Sequence, residues 1–356
     1  MGSMTTTTVD VTGGVDTHKD THHAAILDQQ GRLLATQGFP ATATGYRRLL
    51  AWMRSFGDLA SIGVEGTGSY GAGLSTFLRS HGVSVVEVNR PNRRTRRMRG
   101  KSDPIDAEQA ARAVLSREAT AAPKDHTGIV ESIRTLRVTR DGAVKARTAA
   151  LNQLKDLVTT APESLRTQFR GRSLTATARA CQRLRPNQDA LADPLHAVKA
   201  AMHSLACRIR DLSAEIAALT KQLGTLVTRA APRTTGLLGI STEHAGQLLV
   251  TAANNPERMH SESAFTALCA ACPIPASSGK TNRHRLNPGG DRAANSTLHM
   301  IAVVRMRWCP ATRNYVTRRL TEGMAKREII RCLKRYIARQ VFRALRDDLK
   351  DLANNT

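Results

Sequence analysis

Apolar residues in the first third of the chain come in short runs, broken by glycine and polar turns. "GGVDTHKDTHHAAILD" holds two strand candidates, around Val15 and Ile26, and "QQGRLLATQGF" makes a hairpin-like return into a third. "ATGYRRLLAWMRSF" then switches to helical spacing. "SIGVE" and "VSVVEV" are β-rich runs bounded by glycine, and "SYGAGLSTFLRSHG" between them reads as a helix ended by Gly82. From Ser102, "SDPIDAEQAARAVLS" opens a further helix, with Ser102 or Asp103 as N-cap and Pro104 in the first turn.

The period changes over residues 125–230. Leu191, Leu195, Val198, Met202, Leu205, Ile209, Leu212, Ile216, Leu219, Leu223 and Leu226 alternate in steps of four and three, a heptad seam. Asp193 and Pro194 suit its cap and first turn. Ile129, Ile133, Leu136, Val144, Leu151, Leu154 and Val158 outline an upstream partner helix with looser spacing. Two arrangements are open, an antiparallel hairpin within the chain and a dimerising coiled coil. Residues 231–350 form a third, mostly helical region. There "LLGISTEHAGQLLVTA" resembles a helix-hairpin-helix, whose turn offers backbone N–H groups to a phosphate. "ACPIPASSGKTNRHRLNPGGDRAANS" reads as a long loop, and a basic helical tail follows. For residues 11–122, three strands, a helix and then alternating strands and helices is the order of an RNase H-like α/β sheet.

Charge narrows the function. Fifty-three Lys and Arg against 29 Asp and Glu give a net charge of +24, which points to nucleic acid. Aromatic residues make up only 3%, so contacts should track the backbone of a duplex or a structured RNA and not rely on stacking. No run of about 18 uncharged apolar residues exists to span a membrane. "MGSMTTTTVD" lacks an apolar signal core, and its "MGSM" is set aside as a leader foreign to the fold. Six cysteines without a framework suit reduced cytoplasmic thiols; Cys269 and Cys272, though spaced CxxC, are read as buried small residues.

In so basic a chain, carboxylates at the ends of apolar strands need a reason. Asp16 ends "GGVD", Glu65 ends "SIGVE", and Asp103 and Asp106 lie three apart on one predicted helix, so their side chains point one way. Such a quartet suits divalent-metal chemistry on a phosphodiester, Mg2+ first and Mn2+ second. His18, His22 and His23 are read as solvated or phosphate-facing, because hard oxygen ligands suit magnesium. An actin-like kinase also begins with a strand-borne Asp, but "DTHKDT" lacks the glycine turn that cradles phosphates. Arg90, Arg93, Arg94, Arg96, Arg97, Arg99 and Lys101 form a run without an acid, read as a phosphate clamp feeding the quartet. Ser277 and Ser278 in "PASSGK" are a second chemical candidate, with Lys280, Arg283, Arg285 and Arg292 able to hold a phosphate beside them. By themselves those serines read more readily as a flexible turn, and the chemical reading is weak.

Taken together, "GVDTHKDTHHAAILD", "VEGTGSYG" and "VNRPNRRTRRMRGKSDPIDAEQAARAV" resemble the RuvC-like domain of the insertion-sequence-110 transposases, the DEDD recombinases guided by a bridge RNA. "PIPASSGKTNRHRLNPGGDRAANSTLHMIA" resembles their C-terminal transposase domain. The resemblance implies a RuvC-like nuclease domain at 11–122, a helical coiled-coil region at 125–230 and a mostly α transposase domain at 231–350. It places the acidic quartet on Asp16, Glu65, Asp103 and Asp106, with magnesium. It places an essential serine on Ser278, with Ser277 adjacent as the alternative nucleophile. Where the family's hairpin reads Gly-Ile-Gly, this chain has Gly239-Ile240-Ser241. The implied activity is recombination of an insertion sequence through a phosphoserine link. Its implied partners are a structured noncoding RNA, target and donor DNA, and further copies of the chain as a dimer or tetramer, in a bacterial cytoplasm at the nucleoid. Two readings of other classes stand beside it: a RuvC-like Holliday-junction nuclease using metal-activated water, and a non-enzymatic coiled-coil nucleic-acid-binding protein.

Overall fold

The structure, a computed structural model, describes residues 9–88, 102–254, 256–277, 284–285 and 287–354. The chain divides into two compact units. One comprises Met1–Gly128, Thr251–Ser296 and Arg327–Arg346, the other Ile129–Val250, Thr297–Lys326 and Asp347–Thr356.

The first unit is built on five strands, β1 (Asp10–Thr17), β2 (Thr21–Leu27), β3 (Leu33–Pro40), β4 (Asp58–Glu65) and β5 (Val85–Val88), in the order β3-β2-β1-β4-β5. The first three form an antiparallel meander, and β4 and β5 add in parallel to β1. That is the RNase H-like arrangement expected from the order of apolar runs. Helices α1 (Ala43–Arg54) and α2 (Ala72–Ser80) lie between β3, β4 and β5 in sequence. Thr42 caps α1 by accepting from the Gly45 amide, and Gly82 ends the α2 segment in the left-handed region at φ 72°. The alternate residues Val11, Val15, Ile62 and Val64 meet Leu49, Met53, Leu74 and Leu78 in one buried core. The opposite face of the sheet carries α3 (Asp103–Leu115), whose Ala110 and Val114 pack with Val88.

Glycine decides how closely α3 approaches. Gly14 and Gly63 are direct partners on the parallel strands β1 and β4. A Cβ on Gly14 would stand 2.2 Å from the Ala107 carbonyl oxygen, and one on Gly63 would stand 2.6 Å from that of Ala110. Backbone therefore rests on backbone, and no larger residue fits at either position.

The remainder of the first unit includes α10 (Glu262–Leu268), a ribbon of β6 (Ile274–Pro275) and β7 (His284–Arg285), and most of the last helix, α13 (Lys326–Asn354). The segment read as one long loop thus contains a short ribbon, with Ile274 opposite Arg285 and Pro275 opposite His284. A pairing this short follows a turn, with no hydrophobic alternation to announce it. Gly290 permits the return of the chain, since a Cβ there would lie 2.4 Å from the Ala267 carbonyl oxygen. Asp291 then caps the following helix, α11 (Arg292–Trp308), by accepting from the Ala293 and Ala294 amides.

The second unit is helical. Its longest members are α4 (Gly128–Thr160) and α7 (Pro194–Ala230), with the short α5 (Glu163–Arg166) and α6 (Leu174–Cys181) between them. Ala150 and Leu154 of α4 share a core with Met202, Leu205 and Ile209 of α7, while Arg140 Nε donates to Thr220 Oγ1 at 2.8 Å. Low numbers of one helix thus meet high numbers of the other, and the two run antiparallel. Asp193 caps α7 and Pro194 opens it, as read from sequence. Leu191 lies outside the helix and is exposed, so the seam begins at Leu195. Further along, α8 (Pro232–Thr235) and α9 (Thr242–Ala252) flank a turn with Gly239 at φ 81°. Ser241, in place of a glycine, caps α9 by accepting from the His244 amide, and its own amide donates to His244 Nδ1. That N–H is therefore already used within the turn. The helix α12 (Pro310–Thr321) completes the set.

Candidate functional site

Asp16, Asp103 and Asp106 come close together for a reason visible in their neighbours. Gly14-Val15-Asp16 stands one residue before the end of β1 and Gly63-Val64-Glu65 ends β4, and Val15 pairs with Val64. Alternation puts each acid on the same face as the glycine two residues before it. That is the face where α3 rests, and the first turn of α3 holds Asp103 and Asp106. The glycine pair that admits the helix also lowers its N-terminus onto the strand ends.

Asp16 and Asp106 are buried, at 6% and 2% exposure, and Asp103 and Glu65 are half-buried. His18 Nε2 bridges two of the acids, 3.2 Å from Asp16 Oδ2 and 3.3 Å from Asp103 Oδ1. His23 Nε2 lies 3.5 Å from the other Asp103 oxygen. One ligand atom each from Asp16, His18 and Asp103 falls within 4.8 Å of the others. Glu65 and Asp106 lie outside that cluster of three. Burial raises the Asp16 carboxyl above its usual value; the neighbouring His18 opposes this, while the charges of Asp106 and Asp103 add to it. Two carboxylates crowded in this way, with an imidazole nitrogen beside them, fit a divalent cation, which would relieve their repulsion.

The histidines depart from the expectation that all three are solvated or phosphate-facing. His22 is wholly buried and stacks on Tyr46 of α1, with ring centroids 5.6 Å apart, and burial lowers its pKa. Period-two alternation sends His22 to the α1 face and His23 to the α3 face. His18 and His23 contact carboxylates, a role that their spacing around Asp16 signals once β1 and β2 are known to pair, since His23 is the direct partner of Asp16.

One half-buried ion pair was not legible in the sequence. Arg258 Nη1 lies 3.1 Å from Glu87 Oε2, and Thr67 Oγ1 donates to Glu87 Oε1 at 2.9 Å. It ties the segment that leads into the β6–β7 ribbon to strand β5. Ser277 is exposed between β6 and β7. Ser278, Lys280, Arg283 and the run Arg90, Arg93, Arg94, Arg96, Arg97, Arg99 and Lys101 lie outside the described residues. Arg285 is exposed on β7 and Arg292 is exposed at the start of α11. Cys269 is buried, which pushes its thiol pKa up, and Cys272 Sγ accepts from Asn287 Nδ2; both are free thiols.

A family model of the DEDD transposases of IS110 matches residues 13–161, and a second, described as the transposase IS116/IS110/IS902 family, matches residues 233–317. The chain belongs to the IS110 family of transposases. Among curated proteins, no significant match was found. The first match contains all four acids, and the second contains both serines of "PASSGK". An IS110-family transposase acts on DNA, cleaving and rejoining it by phosphoryl transfer. No described helix is long and apolar enough to cross a membrane.

Proposed function

We propose that this transposase is an RNA-guided DNA recombinase that mobilises its own insertion sequence through a phosphoserine intermediate. The observation that carries the reading is the gathering of Asp16, His18 and Asp103 on the sheet face beneath α3, in a chain of net charge +24. Residues 11–122 supply the carboxylates, 125–230 the assembly helices and 231–350 the serine.

Ser278 is the nucleophile. Its Oγ bonds to the phosphorus of the scissile phosphodiester, and the ester oxygen of one strand end leaves. The serine proton passes to solvent or to that oxygen, which departs as a hydroxyl. In the rejoining step a strand-end hydroxyl attacks the phosphoserine and Ser278 is regenerated, so the bond count is conserved without an outside energy source. Asp16, Glu65, Asp103 and Asp106 would hold magnesium, which when bound would supply charge neutralisation and polarisation of the attacked phosphate. Manganese is the second choice, because His18 offers a nitrogen that magnesium ranks below oxygen. His18 also orients the Asp16 and Asp103 carboxylates. Lys280, Arg283, Arg285 and Arg292 steady the phosphate, and the basic run from Arg90 to Lys101 holds nucleic acid at the quartet. A structured, bridge-type noncoding RNA pairs with target and donor DNA and supplies the sequence choice. The working form is a homo-oligomer, a dimer or tetramer joined through the helices of 125–230.

The test is Ser278→Ala. Strand exchange and a denaturant-resistant protein–DNA adduct should both vanish, while binding persists. In the wild type, mass spectrometry should place the adduct on the "PASSGK" peptide. Ser277→Ala should be milder; the reverse ranking would move the nucleophile to Ser277. Wild-type cleavage by Ser278→Ala would replace the recombinase with a junction nuclease in which water attacks. For the metal, Asp16→Ala should abolish cleavage without weakening binding, and cleavage in excess chelator would exclude a metal mechanism.

A further inference from the structure

The last helix carries a pattern that the carboxylate site does not use. Arg327, Arg331, Arg335, Arg339 and Arg343 follow one another at intervals of four residues along α13. Such a ridge sets each arginine about 6 Å further along the helix axis than the last, over roughly 24 Å. Arg327, Arg335, Arg339 and Arg343 are exposed and Arg331 is half-buried, while Ile329, Leu333, Ile337, Val341 and Leu345 form the buried face of the helix.

A solvated polar face is the ordinary explanation of surface arginines, and it does not suit this row. Like charges four apart on a helix repel. Arg327 stands in the first turn, where the helix dipole favours acids. Neutralisation within the fold is sparse. Glu262 answers Arg339 at 3.6 Å and Arg343 at 3.0 Å, and among the described residues no acid pairs with Arg327 or Arg335. The row therefore opposes helix formation and is suited to an outside polyanion.

Its surroundings identify the chemistry. Arg335 and Arg339 border a cavity of about 130 Å³ that is also lined by the hydroxyl-bearing Ser263 and Thr266 and by Glu262, the carboxylate paired with Arg339. On the other side, the same two arginines border a second cavity of about 80 Å³ with Tyr336 and Cys332. Guanidinium and hydroxyl groups around small open cavities are the donor set for phosphate oxygens. Arg331 Nη1 reaches the His284 carbonyl oxygen in β7 at 3.4 Å, so the row passes the foot of the ribbon whose connection holds Ser277 and Ser278.

We propose that this arginine row is a track for the phosphate backbone of duplex DNA, leading one strand to the serine-bearing connection. A strand of duplex carries a phosphate every ~3.4 Å along its axis, so the ridge spans roughly seven phosphates of one strand. The functional meaning of the track rests on the assignment of the serine as nucleophile; the binding itself does not.

The experiment is equilibrium binding by the full-length protein in chelator, which suppresses cleavage, with the salt concentration varied. The probes are a short fluorescent duplex DNA and a structured RNA hairpin of equal charge. For the duplex, Arg327→Gln/Arg335→Gln should lower the slope of log affinity against log salt by about 1.8, and Arg335→Gln alone by about 0.9. Lys221→Gln/Arg229→Gln on α7 removes the same charge elsewhere and should leave the slope unchanged. Circular dichroism should show every variant folded. An unchanged slope for duplex DNA overturns the track. A fall for the hairpin alone, or an equal fall for both probes, overturns the assignment to DNA. Because no strand is cut, failure of Ser278 as nucleophile would leave this result standing, and the two proposals fail separately.

Discussion

Two helices, α3 and α7, are both buried along one side, and they are seated in different ways. α3 rests on the sheet through Gly14, Gly63, Ala107, Ala110 and Ala111, so that backbone touches backbone. α7 meets α4 through Met202, Leu205 and Ile209, large side chains that interdigitate. A backbone contact has no rotamers to adjust. It holds the first turn of α3 over Asp16 and Glu65 with little freedom, which suits a set of carboxylates that must act together. A side-chain seam tolerates exchange and can serve more than one partner. Leu212, Leu219 and Leu226 are only half-buried, on the heptad face beside residues that α4 and its neighbours cover.

The comparison is broken most severely at the glycine pair. Gly14→Val should cost about 3 kcal/mol or more, because neither the Ala107 carbonyl nor the strand can yield. Chemical denaturation should show the loss, and metal-dependent cleavage should disappear with it. A variant of wild-type stability would mean that α3 does not need this close seat.

On α7 the matching experiment is Leu212→Asp/Leu219→Asp. These positions are half-exposed, so the fold should lose only about 1–2 kcal/mol. Light scattering should show dissociation of the oligomer. If the variant keeps its native mass, the exposed part of the seam is not an assembly surface.

The smallest effect sharpens the account of the carboxylates. Burial raises the Asp16 pKa above its ordinary 3.8. The stabilising contribution of its protonated form is present below that ordinary value and is lost as the pH rises through the folded-state pKa. In chelator, Asp16→Asn should therefore raise the melting temperature modestly near pH ~7 and hardly at all near pH ~4. Magnesium should then stabilise the wild type more than the variant. An Asp16→Asn protein that melts below the wild type in chelator at neutral pH would show that the carboxylate does not strain the fold.

Much of this arrangement was written in local pattern. The order of apolar runs is the order of β1 to β5, and the Asp-Pro starts of α3 and α7 mark their first turns. The repeated Gly-Val-acid pattern at Gly14-Val15-Asp16 and Gly63-Val64-Glu65 marks the two strand ends that carry acids. Other features required three dimensions. His22 and His23 are adjacent and chemically alike, but the sheet buries one against Tyr46 and turns the other to Asp103. Glu87 and Arg258 are 171 residues apart and carry no local signal of their pairing. The serine-bearing segment read as loop, because a ribbon of two residues per strand has too few positions to show a period.

What the sequence determined by itself is what depends on near neighbours: strand and helix periods, caps, net charge, the acids beside their glycines, and the arginines four apart on the last helix. The tertiary structure decided which of those groups meet. It lowered α3 onto Gly14 and Gly63, set His18 between Asp16 and Asp103, and brought Arg331 to His284 in β7. Such meetings depend on residues far apart in the chain, whose approach is set by close packing and by which side chains are missing, and neither leaves a local period to read.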